Sequence, residues 1–113
     1  MHITKDICSG LKAMHDIGIQ HRDIKVENIL LENKLFKLCD FGSASKQTLD
    51  PNSASCTPDY LDEQMEYFEK FTTMMYRPPE MIDRYKKFRV DTQVDVWMLG
   101  CVIFSLCFFQ HPF

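Results

Sequence analysis

His21-Arg22-Asp23-Ile24-Lys25-Val26-Glu27-Asn28 is the stretch whose reading decides the fold. It sets a carboxylate, a lysine two residues on and an amide five residues on just ahead of a short apolar run. An extended segment turns positions 23 and 25 to one side, so a base and a cation face the same site. Asp40-Phe41-Gly42 follows twelve residues after Asn28. Phosphoryl transfer is the chemistry that needs this set. One carboxylate must orient an incoming hydroxyl and accept its proton. A cation must offset charge developing on the transferred group. A carboxylate and an amide oxygen must hold Mg²⁺ against the phosphates.

Outward from this stretch, the local signals are mostly plain. Ile3, Ile7, Leu11, Met14 and Ile17 form one apolar helical stripe, and Gly18 is a natural stop, so a helix is expected over residues 2–16. Ile29–Leu31 and Leu35–Leu38 read as two short strands joined by a tight turn at Glu32-Asn33-Lys34. Residues 43–64 are rich in Ser, Thr, Asp, Asn and Pro without a period, and read as a long mobile loop. A short helix is expected over Pro79–Tyr85. Gln93–Cys107 is apolar almost all round, as in a helix buried on every side. These elements barely supply partners for such a helix, so the chain reads as cut from a larger domain.

Composition narrows the class. At 113 residues, 45% hydrophobic and 26% charged, the chain fits one small soluble domain. A net charge of −3 with interspersed signs gives no basic stripe, so nucleic acid is not expected as a partner. Cys8, Cys39, Cys56, Cys101 and Cys107 are odd in number and lack CxxC spacing, which favours reduced thiols over disulfides or zinc. Met1–Leu11 lacks the apolar core of a signal peptide. Val94–Phe109 is shorter than the roughly 20 residues of a spanning helix and contains Asp95, so no transmembrane segment is expected.

HRDIKVEN followed by DFG resembles the catalytic and metal loops of eukaryotic protein kinases. Thr72-Thr73-Met74-Met75-Tyr76-Arg77-Pro78-Pro79-Glu80 is similar to the motif closing the kinase activation segment. Asp95-Val96-Trp97-Met98-Leu99-Gly100 is similar to the start of the central helix of the large lobe. The resemblance implies an α+β, kinase-like fold: a mainly helical large-lobe fragment with two short strands, spanning 1–113 as a partial domain. It implies ATP and Mg²⁺ as cofactors and a protein as substrate. Asp23 is then the catalytic base and Lys25 the γ-phosphate contact. Asn28 and Asp40 are the metal ligands. Thr73 lies under the substrate residue and bonds Asp23 and Lys25. Leu30 packs beneath the adenine. His21 and Phe41 stack in the internal spine, and Asp95 anchors the catalytic-loop backbone.

A narrower resemblance lies in Tyr67–Tyr85 and Val94–Phe113. The Thr72-Thr73 doublet, Met81-Ile82-Asp83 and the Leu106-Cys107-Phe108-Phe109…Pro112-Phe113 ending look like the Numb-associated kinases. That implies threonine phosphorylation of clathrin adaptor subunits, with a cytoplasmic location peripheral to clathrin-coated membranes. Pro78 departs from the family's alanine. The 113 residues also hold no glycine-rich loop or paired strand lysine, and no arginine for Glu80 to pair with. This chain alone is therefore expected not to transfer phosphate at a useful rate. Its apolar Val96–Phe109 face is expected to limit solubility. The competing reading is a catalytically dead lobe that serves as an interaction module.

Single residues carry further expectations. His2, His15 and His111 read as solvent-facing, and Trp97, Cys101 and Cys107 as core. Arg22 has two readings, a surface charge or a residue that receives a loop phosphate or steadies that loop. Cys39 reads as a small core residue or a thiol beside the ATP site. Ser43, Ser45, Thr48, Ser53, Ser55, Thr57, Tyr60 and Tyr67 are candidate phosphate acceptors.

Overall fold

The computed structural model describes residues 2–113, so Met1, first residue of the expected domain and of the signal-peptide reading, lies outside them. Helix α1 spans His2–Asp16 and buries Ile7 and Leu11, as its stripe requires. Gly18, at φ 77, breaks it in the left-handed conformation. Strands β1 (Ile29–Glu32) and β2 (Leu35–Leu38) pair antiparallel in a two-stranded sheet. The turn holds only Asn33 and Lys34, at φ 48 and 65, the geometry of a two-residue hairpin that keeps the strands' twist. Asp6 of α1 accepts the Phe36 N–H at 3.1 Å, tying helix to hairpin. Phe36, Leu38 and Ile29 pack against the core.

Helix α2, Pro58–Phe71, corrects the expected loop over 43–64, for it begins inside that span. Thr57 caps it by accepting the Tyr60 N–H, and Pro58 occupies the first turn, where its missing N–H costs nothing. Its buried contacts are Leu61 and Phe68, with Met65 half-buried between them at helical spacing. That stripe hides in a segment dominated by acidic residues. Residues 43–57 do lack helix and strand, but isolated bridges tie them down: Gln20 to Ser45 and Leu49 to Val90.

The expected helix over Pro79–Tyr85 shrinks to one 3-10 turn, Pro79–Met81. Asp83 then accepts the Tyr85 N–H at 2.9 Å, an Asx turn that diverts the chain. Helix α3 spans Gln93–Phe108 and buries Val94, Asp95, Met98, Leu99, Cys101 and Val102. The expectation of burial on every side fails: Val96, Trp97 and Phe108 are exposed, as is Phe109 beyond the helix end. Trp97 and Cys107 are thus not core, whereas Cys101 is. Uniform apolarity showed no favoured face, and only the neighbours present decide which side is covered. All five cysteines are free, and among the described residues no helix is long and apolar enough to cross a membrane.

Candidate active site

The loop between α1 and β1 presents the site, and Asp95 of α3 holds it in place. Asp95 is wholly buried and accepts the N–H of His21 and of Arg22, each at 2.8 Å. Arg22 lies at φ 68, strained for a non-glycine residue, so these bonds stabilise an otherwise costly turn. His15 Nε2 completes the cluster at 2.8 Å from Asp95 Oδ2. This corrects the solvent-facing reading of His15. No local pattern revealed it, because its partner lies 80 residues away. His2 is exposed as expected, and His111 is exposed but sets its ring edge-on to Tyr76.

The structure brings Asp23, Lys25, Thr73 and Asn28 together. The Thr73 hydroxyl donates to Asp23 Oδ1 at 2.9 Å and accepts from Lys25 Nζ at 2.9 Å. Lys25 Nζ also lies 3.6 Å from Asp23 Oδ2. Asn28 is buried and turns its amide nitrogen to the Asp23 carbonyl at 2.8 Å and to Asp23 Oδ2 at 3.3 Å. Both bonds use the amide nitrogen and neither uses the amide oxygen.

Asp40 is positioned through its neighbour. Cys39 N–H donates to the Asn28 carbonyl at 2.9 Å, and the Cys39 carbonyl meets His21 Nε2 at 2.9 Å. Cys39 is half-buried, and Asp40 follows at φ 58 with an exposed side chain. Its Oδ1 accepts the Gly42 N–H at 3.2 Å, and a Cβ on Gly42 would sit 3.2 Å from that oxygen. Glycine therefore leaves room for the carboxylate. The Phe41 ring meets His21 edge-on at 5.3 Å. Leu30 on β1 is 54% exposed, an open apolar surface beside the loop.

The donor set tests the expected metal. One carboxylate and one amide oxygen are hard ligands that suit Mg²⁺ shared with phosphate oxygens and water. Among the described residues no three His, Cys, Asp or Glu side chains form a metal cluster.

Arg22 is 3% exposed, which excludes the surface-charge reading. Its Nε donates to Gln20 Oε1 at 2.9 Å, its Nη2 to the Gln47 carbonyl at 2.7 Å, and its guanidinium lies over the Phe68 ring at 5.3 Å. It joins the catalytic turn to the following loop and to α2. Burial pushes its pKa down, opposed by Tyr67, Asp95 and Tyr60. Some candidate phosphate acceptors are otherwise engaged: Ser43 is buried and donates to the Phe71 carbonyl at 2.6 Å, and Thr57 caps α2.

A model of the protein kinase domain family matches residues 1–113. The chain belongs to the protein kinase domain family. Among similar proteins, a probable serine/threonine-protein kinase of Dictyostelium discoideum is 42% identical over 98% of this chain and 14% of its own length. A serine/threonine-protein kinase of Schizosaccharomyces pombe is 38% identical over 100% of the chain and 12% of its own length. A second probable serine/threonine-protein kinase of Dictyostelium discoideum is 37% identical over 100% of the chain and 10% of its own length. This kinase domain sequence thus spans between 10% and 14% of those relatives. Among the described residues, three helices and a two-stranded hairpin make an α+β architecture, in keeping with the protein kinase domain that it matches.

Proposed function

We infer that this domain serves a protein serine/threonine kinase, which transfers the γ-phosphate of ATP to a hydroxyl of a protein substrate. The observation that carries the reading is the Asp23–Thr73–Lys25 relay, with both hydrogen bonds at 2.9 Å. In it, Asp23 Oδ2 orients the incoming hydroxyl and accepts its proton as the new oxygen–phosphorus bond forms and the bond from the γ-phosphorus to the bridging oxygen breaks, releasing ADP. Lys25 offsets charge on the transferred phosphoryl group. Thr73 fixes both side chains and acts as a positioning residue. Asn28 and Asp40 would hold Mg²⁺, whose charge would screen the phosphates. Leu30, exposed on β1, would offer its apolar side chain to the adenine.

The finer reading is a Numb-associated kinase acting on clathrin adaptor subunits, in the cytoplasm and at clathrin-coated membranes. It rests on the Thr72-Thr73 doublet, on Met81-Ile82-Asp83 and on the Leu106 to Phe113 ending. The partial-domain boundaries, 1–113, belong to the same proposal. The test is transfer of labelled phosphate from ATP to threonine-bearing adaptor peptides by the full-length protein, beside its Asp23→Asn and Asp40→Asn variants. Transfer lost in both variants supports the reading. No transfer by the unaltered protein, with its fold intact, favours an interaction module instead.

A further inference from the structure

Arg84-Tyr85-Lys86-Lys87-Phe88-Arg89 sets four cations and two aromatic rings in six residues, and the phosphotransfer site uses none of them. Tyr85 to Arg89 are five consecutive exposed residues. Tyr85 is 84% exposed and Phe88 55%. The framework beneath them is fixed. Leu49 and Val90 exchange backbone hydrogen bonds at 2.9 and 2.8 Å just past the run. Arg84 pairs with Asp62 of α2, and Asn52 donates to the Lys87 carbonyl at 3.0 Å. Lys87 turns the chain at φ 54. The result is a displayed tip, anchored at both ends.

Arg84 alone of the four cations has an acidic partner among the described residues; Lys86, Lys87 and Arg89 have none. Water hydrates the three uncompensated charges well but leaves the two large rings wet, so only the rings gain by leaving it. An environment that is anionic outside and apolar just below satisfies both.

We propose that this tip docks the protein on anionic lipid bilayers. Lys86, Lys87 and Arg89 meet the headgroups, while Tyr85 and Phe88 sit at headgroup depth with their apolar bodies buried. Each cation raises partition about fivefold, an effect that fades beyond a Debye length of about 10 Å. Two of the three free cations are lysines, the type depleted at protein–protein interfaces. A nucleic acid needs a longer basic track.

The experiment is flotation of the full-length protein with phosphatidylserine–phosphatidylcholine vesicles, against phosphatidylcholine alone; flotation keeps aggregates from scoring. Binding should require phosphatidylserine and weaken as salt rises. The Lys86→Glu/Lys87→Glu/Arg89→Glu variant should lower partition by about a hundredfold or more, at unchanged circular dichroism. Tyr85→Ser/Phe88→Ser should lower it about tenfold and keep the salt dependence. Equal partition of parent and charge variant overturns the proposal, as does binding indifferent to phosphatidylserine. Retention on RNA or on an acidic polypeptide through the same residues, without flotation, also overturns it and assigns the tip to that partner.

Discussion

Asp95 Oδ1 accepts the Arg22 N–H at 2.8 Å and thereby holds Arg22 in a left-handed turn at φ 68. The same carboxylate binds the His21 N–H and His15. Replacing it by asparagine removes one acceptor and turns an amide donor toward a backbone donor. Asp95→Asn should therefore cost about 1–3 kcal/mol of folding stability. His15→Ala removes a single bond and should cost about 1 kcal/mol. Urea unfolding followed by circular dichroism reads both, and a stable Asp95→Asn variant would contradict the anchoring role.

Thr73 separates positioning from chemistry. Thr73→Val keeps the side-chain volume but removes the hydroxyl shared by Lys25 and Asp23. Phosphotransfer should fall about tenfold to a hundredfold, chiefly in kcat, because both groups lose their alignment. Thr73→Ser keeps the hydroxyl and should stay near the parent rate. Steady-state kinetics of the full-length protein check the pair.

Phe68 packs α2 against the buried Arg22. Phe68→Ala opens a cavity and removes the ring under the guanidinium, so it should cost about 3–5 kcal/mol. Phe68→Leu should cost clearly less. Arg22→Ala removes one of the two donors to the Gln47 carbonyl and leaves only Gln20 Nε2, at 3.0 Å, to hold it. Limited proteolysis should then cut residues 43–57 faster in that variant than in the parent.

Alkaline pH should unfold the domain early. Burial raises the pKa of the Cys101 thiol above its ordinary 9.0 and that of Tyr76 above 10.0. With the folded values raised, the native state keeps protons that the unfolded chain releases. Stability is full below pH 9.0 and falls as pH rises through the folded values. Melting temperature against pH should show this fall, and Cys101→Ala should remove its first part.

The local chemistry was legible in the sequence because it obeys short-range rules. The stripe from Ile3 to Leu11 made α1, and Gly18 ended it. Asn33-Lys34 made the hairpin turn. The span from Asp23 to Asn28 is short enough that its order predicted its convergence. Helix α2 was readable as well, from Thr57-Pro58 and the spacing of Leu61, Met65 and Phe68, but its acidic surface masked that stripe.

Only the tertiary structure decided the long-range partners. His15 gained its role from Asp95, Arg22 from Gln47 and Phe68, and Trp97 stacks on Phe113 at 5.6 Å yet stays 37% exposed. Periodicity reports which face of an element is apolar, not which distant atom meets it. A buried carboxylate such as Asp95 finds its donors only once the packed elements exclude water around it.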